Sequence, residues 1–381
     1  MIYFDNSATT KPYDEVVQTY TKVATDYFGN PSSLHPLGKA SERLLVQSRE
    51  RIASLLDVKP NEVLFTSGGT EGNNLSIKGT AHQLKNRGTH LITTNIEHAS
   101  TIEAFQQLEE QGFTVTYLQA DSTGKITASQ VKEAITDDTI LVSIIHVNNE
   151  LGSIQPVEEI GKLLLNYPKI IFHIDHVQGI AKVPLSLKEA SIDLCTLSAH
   201  KFHGMKGTGI LYVRDGVSIY PLLSGGSQEL GFRAGTENVP GVVAMVKALR
   251  MSLDKSKVDL ENIFRVTEKI RSYCEKMHGV VVNSPSDSAP HILNISVPKV
   301  KPEVIVQALA EKNIYVSTKS ACSSKQSEPS RVLMAIGLDD EVAASAIRIS
   351  LSYENTLSEA DQFIDVFQEI VSSLKKVVEK Q

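Results

Sequence analysis

Beyond residue 60 the chain alternates short, apolar, β-rich runs with helical patterns, and this alternation narrows the possible fold more than any other feature. Val63–Thr66, Leu91–Asn95, Thr114–Gln119, Ile140–His146, Ile170–Asp175, Leu194–Leu197 and Gly209–Val213 read as strands. Most are apolar at both alternating sets of positions, the pattern of strands covered on both faces. Ser100–Gln111 and Val157–Leu165 carry helical spacing between them. The expectation is an α/β fold with a mainly parallel central sheet, where ligands gather at the carboxyl ends of strands. After a helical pattern at Phe264–Met277 the signal changes to α+β. Strands are expected at Val280–Asn283, His291–Val297 and Ile314–Val316, and helices at Val304–Glu311, Arg331–Ile336 and Glu359–Lys375. The polar stretch Asp254–Lys257 reads as the change-over. A large domain of residues 13–254 and a smaller one of residues 1–12 and 255–381 follow.

Composition excludes whole classes of function. The 381 residues are 41% hydrophobic and 22% charged, with a net charge of −6, which is ordinary for a globular protein and opposes a broad nucleic-acid footprint. The longest apolar run, Thr139–Val147, is far shorter than the roughly 20 residues needed to span a bilayer. Met1–Asp5 has neither a basic leader nor a long apolar stretch, so the expected compartment is the cytoplasm. Cys195, Cys274 and Cys322 form no CxxC pair and lie too far apart for a local zinc site, so no metal is expected. Their odd number leaves at least one free thiol.

Several strand ends carry residues suited to chemistry. Ser198-Ala199-His200-Lys201 follows a strand and enters a segment with Gly204, Gly207 and Gly209. An isolated lysine is normally a solvated surface charge. Here glycines allow tight turns and close ligand approach, and a partly buried lysine can act as a Schiff-base nucleophile. Asp175-His176-Val177-Gln178 ends another strand. Read alone, Asp175 is a cap or turn residue; with Lys201 downstream, it suits the pyridinium nitrogen of a pyridoxal cofactor. Thr66-Ser67-Gly68-Gly69-Thr70-Glu71 joins a strand to a helix, a place where free N–H groups can hold one phosphate. Neither the dinucleotide GxGxxG nor the P-loop spacing occurs there. His98 and Asn149 also follow strands, as a ring able to stack on a flat cofactor and as a turn-forming amide.

The thiols differ in their surroundings. Cys195 sits in an apolar strand and Cys274 on a helix face, as small hydrophobes do. Cys322 lies among Ser, Lys and Gln in Ser320–Ser330, with Lys319 and Lys325 nearby to favour a thiolate.

Taken in order, these motifs resemble the bacterial cysteine desulfurases of the NifS/IscS-like group, which are fold-type I pyridoxal-phosphate enzymes. The resemblance runs from Tyr3-Phe4-Asp5-Asn6-Ser7-Ala8-Thr9-Thr10 to Arg348-Ile349-Ser350-Leu351. It includes Gly29-Asn30-Pro31-Ser32-Ser33, Gly225-Gly226-Ser227-Gln228-Glu229 and Arg233-Ala234-Gly235-Thr236. It implies that Lys201 carries pyridoxal 5′-phosphate as a Schiff base, and that His98 stacks on the ring and helps move protons. Asp175 would bind the pyridine nitrogen and Gln178 the phenolic oxygen. Gly69, Thr70, Ser198 and His200 would bind the phosphate, and Thr236 the phosphate of the other subunit of a homodimer. Asn149 and Arg348 would hold the substrate carboxylate, and Cys322 would take the sulfur.

The implied reaction converts L-cysteine to L-alanine. Sulfur passes to Cys322 as a persulfide, then to an acceptor protein serving iron–sulfur clusters, tRNA thiolation or thiamine synthesis. Met205, Lys319 and His176 depart from the group's usual residues. A fold-type I aminotransferase would need Lys201 and Asp175 but no exposed cysteine. A non-enzymatic sulfur relay would have no use for Lys201, His98, Asp175 and Arg348.

Overall fold

The computed structural model describes residues 1–318 and 329–378. In chain order the first eight strands are β1 (Ile2–Tyr3), β2 (Val63–Thr66), β3 (His90–Thr94), β4 (Thr114–Leu118), β5 (Thr139–Ile145), β6 (Ile171–Asp175), β7 (Leu194–Ser198) and β8 (Gly209–Val213). Seven of these form one sheet in the order β2-β8-β7-β6-β5-β3-β4. Only β8 runs against its neighbours; every other pairing is parallel. The sheet is therefore mainly parallel, as the alternation implies. Apart from Ile171 at the start of β6, its inner strands are buried throughout, because helices cover both faces, while the edge strand β4 is half exposed.

The remaining strands are β9 (Val281–Val282), β10 (Ile292–Ser296), β11 (Ile314–Tyr315) and β12 (Ala346–Ser350). β10 lies between β12 and β9, antiparallel to both. β12 has no counterpart among the sequence expectations, although all five of its residues are buried. β1 pairs parallel with β11, and Phe4 enters the same core as Leu293, Ile349 and Phe363. A separate core gathers Ile144, Phe172, Ile174, Leu197 and Ile210 around the seven-stranded sheet.

One helix joins the two cores. The pattern at Phe264–Met277 is the last third of a continuous 38-residue helix, Val239–Lys276. Asn238 caps it by accepting from the Gly241 N–H at 3.0 Å. Met245, Ala248 and Leu249 pack into the first core, and Ile263, Val266 and Ile270 into the second. Asp254–Lys257, the expected change-over, lies inside it. Asp, Lys and Ser are polar but contain no helix breaker, so the backbone continues where the buried face does not. Among the described residues, no helix is long and apolar enough to cross a membrane.

Candidate active site

The carboxyl ends of β2, β3, β5, β6 and β7 open at one edge of the sheet. A cavity of about 150 Å³ lies there, lined by Gly69, Thr70, His98, Asn149, Asp175, Gln178, Ser198, His200, Lys201 and Arg348. The segments after β2, β3, β5, β6 and β7 supply walls, as expected where parallel strands end together. Ser7, Asn73 and Ser100 add polar side chains to the lining, and Ala8, Ile145 and Val177 add apolar ones.

Lys201 ends a 3₁₀ turn, Ala199–Lys201, that follows β7 directly. Its Nζ donates to the carbonyls of Ser7 and Ala8, the latter at 2.9 Å. Gln178 Nε2 also donates to Ser7 O, at 3.0 Å, so the amino-terminal segment ties two cavity residues together. His200 Nδ1 meets Thr9 Oγ1 at 3.2 Å. Burial, with help from the Lys201 cation, pushes the His200 pKa down to about 3. Opposite this turn, the helix Gly69–Leu84 begins at Gly68, whose φ of 148° suits a glycine. Farther along, a Cβ on Gly72 would come within 2.6 Å of Thr196 Cγ2, so glycine there lets the helix close on β7.

Asp175 ends β6 and is held on both oxygens. Asn73 Nδ2 donates to Oδ2 at 2.7 Å, and the Val177 N–H donates to Oδ1 at 3.0 Å. Asn73 Nδ2 also donates to Ser100 Oγ at 2.9 Å, and Ser100 Oγ lies 2.8 Å from His98 Nδ1. A polar chain therefore links His98 to Asp175. His98 caps the helix Ala99–Glu109, its Nδ1 accepting from the Ser100 N–H at 3.1 Å. Nδ1 must then be unprotonated, which leaves the ring proton on Nε2. Burial holds the His98 pKa below the ordinary imidazole value, against the pull of the Asp175 carboxylate.

Arg348 lies on β12 and is 1% exposed. Nη1 donates to Asn149 O at 2.8 Å; Nη2 donates to Ser317 Oγ at 2.9 Å and pairs with Asp5 Oδ1 at 3.2 Å. Asn149 thus meets Arg348 through its backbone. Among the described residues, Arg348 Nε, Ser7 Oγ and Asn73 Oδ1 are buried without a hydrogen-bond partner, and all three residues line the cavity. Ser7, Asn73 and Ser100 are absent from the sequence-based site. Asn73 carried a usable signal, because it follows Gly69 by four residues and so shares its helix face.

Other expected residues stand apart. Thr236 is exposed and does not line the cavity. Cys322, Lys319 and the segment around them lie outside the described residues. Cys195 and Cys274 are fully buried, and burial raises both thiol pKa values, that of Cys274 to about 12. Met205 packs against the first core. His176 is buried with its Nδ1 2.8 Å from His146 Nδ1, and a Cβ at Gly179 would lie 2.4 Å from its ring. Gly179 therefore makes room for the larger side chain after Asp175.

The chain matches the aminotransferase class-V family model over residues 2–363. It is 45% identical over 380 residues to a "NifS/IcsS protein homolog" of Lactobacillus delbrueckii subsp. bulgaricus, covering 99% of each chain. It is 41% identical to "Cysteine desulfurase IscS" of Methanosarcina thermophila, covering 99% of this chain and 93% of that one. A solved "NifS-like protein" superposes with a TM-score of 0.92 at 37% identity, covering 97% of this chain and 99% of the other. The chain belongs to the class-V aminotransferase family of pyridoxal-phosphate enzymes, among its NifS/IscS-type cysteine desulfurases.

Proposed function

We propose that this cysteine desulfurase divides its work between the cavity, which opens L-cysteine, and Cys322, which carries the sulfur away. The desulfurase activity itself rests on IscS-named relatives matched over nearly the whole chain. The observation that carries the division is the convergence of Lys201, His98, Asp175 and Arg348 on one cavity, while both described thiols are buried elsewhere.

The residues fit pyridoxal 5′-phosphate. The first turn of the helix Gly69–Leu84 offers backbone N–H groups, and Ser198 and His200 border the same space, which suits a phosphate. Asp175, held on both oxygens, presents a fixed carboxylate for a pyridinium nitrogen. The unpartnered Ser7 Oγ, Asn73 Oδ1 and Arg348 Nε mark the cavity as built for a polar occupant. When bound, the cofactor supplies an electron sink for the substrate Cα.

The protein's own groups do the rest. Lys201 Nζ would hold the cofactor, and its amine lines the same cavity, where it would move a proton to or from the substrate. His98, with Nδ1 engaged by Ser100, holds a transferable proton at Nε2. Arg348 receives the substrate carboxylate, with Nε free to donate beside the Nη groups, and Asn149 supports it. Cys322 thiolate attacks the substrate sulfur, forming an S–S bond as the Cβ–S bond breaks; the bonding pair stays on Cβ, which takes up a proton, so the sulfur is oxidised and the carbon reduced, and the three-carbon fragment leaves as L-alanine.

The persulfide on Cys322 then passes to an acceptor protein serving iron–sulfur cluster assembly, tRNA thiolation or thiamine synthesis. Thr236, exposed on a single chain, is assigned to the partner's cofactor in a homodimer. The cytoplasm is the proposed compartment, and residues 13–254 against 1–12 and 255–381 the proposed domain division, with a large core and a small one on either side. The test is incubation of the purified protein with L-cysteine, measuring alanine and sulfide with and without a reductant. Alanine and persulfide in equal amounts without reductant are expected; pyruvate or a keto acid in place of alanine would reject the reading.

A further inference from the structure

The turn that carries Lys201 is held through its carbonyls. Ala199 O accepts from Gly204 N at 2.8 Å, His200 O from Thr10 N at 2.8 Å, and Phe202 O from Ser252 Oγ at 2.9 Å. These donors are neutral. The carbonyl of Lys201 differs, because it accepts from Lys182 Nζ at 2.8 Å.

Lys182 is 6% exposed, and no ion pair to it is found among the described residues. Lysine is seldom buried without a carboxylate, because desolvation of the charge is costly. Here the amine is spent on one backbone oxygen in the element that presents Lys201. Around it lie His176, His200, His203 and His291, all pushed below the ordinary imidazole pKa by burial and therefore neutral near pH 7. Lys201 itself faces the first cavity, where His98, Asp175, His200 and Arg348 are its titratable and charged neighbours. Across a second cavity that Lys182 lines, Asp57 and Lys257 are exposed to solvent. Burial pushes the Lys182 pKa down to about 8, so it is mainly a cation at pH 7 and discharges at mildly alkaline pH.

We propose that Lys182 is a positioning residue for Lys201, fixing the carbonyl of the turn that presents the amine and favouring the amine's neutral, nucleophilic form through its own buried charge. The proposal rests on the reading of Lys201 as the cofactor-binding lysine. The carbonyls of Ser7 and Ala8 pull the other way, because acceptors favour an ammonium at Lys201 Nζ. Lys182 is the counterweight: its cation, held 2.8 Å from the Lys201 carbonyl, repels a second charge on the same residue's amine, which then yields its proton more readily.

The experiment separates the bond from the charge. Lys182→Gln keeps an amide donor for the Lys201 carbonyl and removes the cation; Lys182→Arg keeps both; Lys182→Met removes both. The full chain, freed of cofactor, is reductively methylated across neutral to alkaline pH, and the Lys201 peptide is quantified by mass spectrometry. In Lys182→Gln the Lys201 titration midpoint is expected to rise, and labelling at neutral pH to fall about five- to tenfold. Lys182→Arg should stay within about twofold of wild type. The pH midpoint of the visible band of the loaded protein should rise with the same variant.

If Lys182→Met does not fold, Lys182→Gln still decides. A wild-type Lys201 midpoint in Lys182→Gln overturns the proposal. Borohydride reduction of the loaded wild type distinguishes the other failure: cofactor fixed to a different lysine removes the Lys201 assignment itself.

Discussion

Asn73 donates from Nδ2 to Asp175 Oδ2 at 2.7 Å, joining residues 102 positions apart in the chain. The same nitrogen reaches Ser100 Oγ, and through it His98. Removing the amide in Asn73→Ala leaves one carboxylate oxygen without its donor. A hydrogen bond to a charged group is worth about 1.5–3 kcal/mol, so cofactor affinity should fall about ten- to hundredfold. Absorbance titration of pyridoxal phosphate into the stripped variant measures this; unchanged affinity would mean that Asp175 holds its orientation alone.

Lys201→Ala should lose covalent cofactor attachment and turnover together. Borohydride reduction followed by peptide mapping locates the modified lysine in the wild type. Retention of a reducible cofactor in the variant would contradict the role given to Lys201.

Cys322→Ser should bind cofactor and L-cysteine normally and release almost no alanine, because a hydroxyl stays protonated near neutral pH and is a poor sulfur acceptor. Cys195 and Cys274 are too deeply buried to substitute for it. Mass spectrometry after brief exposure to L-cysteine should find the additional sulfur on Cys322. Finding it on Cys195 or Cys274, with full turnover in the variant, would overturn the assignment.

Ser330 donates to Glu150 Oε2 at 2.5 Å and caps the helix Arg331–Ala335, accepting from Leu333 N at 3.2 Å. Arg331 Nη2 donates to the carbonyl of Glu97. Both bonds end beside cavity residues, Asn149 and His98. Ser330→Ala should destabilise the fold by about 1–2 kcal/mol, read from urea unfolding, through the lost cap and the unpaired carboxylate. A wild-type unfolding midpoint would show that neither bond contributes.

Burial gives the fold a specific acid sensitivity. The pKa values of His146, His173 and His203 are pushed down to about 4, 3 and 4. In the unfolded chain each ring takes a proton near pH 6.5, so the unfolded state binds more protons once the pH falls below that value. The stability these rings contribute is complete above about pH 6.5. It declines as pH falls toward 4, by at most about 1.4 kcal/mol per pH unit for each ring. Urea midpoints at neutral and mildly acidic pH, at equal cofactor occupancy, should show this fall; a flat profile would contradict it.

What the sequence disclosed depended on range. Strand ends such as Asp175 and Ser198 were legible because periodicity and punctuation are local. Lys201 stood out because glycines surround it. Ser7, Asn73 and Ser100 were not legible as site residues, since each acquires its role from a partner brought near by the fold. Asn73 meets Asp175 only after the helix packs on β7. Arg348 was identified by resemblance, but its strand β12 escaped notice, being a single short run with no neighbouring repeat of the pattern. The middle of the helix Val239–Lys276 is polar and nowhere fully buried between its two cores, and polarity there imitates a linker.

That helix has a consequence for how the chain can vary. At about 1.5 Å per residue its 38 residues form a rod roughly 57 Å long. No residue between Ser252 and Ile263 is buried in it. Leu253 and Leu260 still pack against the two cores. Substitutions at the exposed Asp254, Lys257 and Val258 should be forgiven, yet changes in length should not. One inserted residue would rotate everything beyond it by about 100° around the axis and turn Ile263, Val266 and Ile270 out of their core. The stretch that reads most like a dispensable spacer is therefore a gauge block: loose in composition on its exposed face, fixed in count.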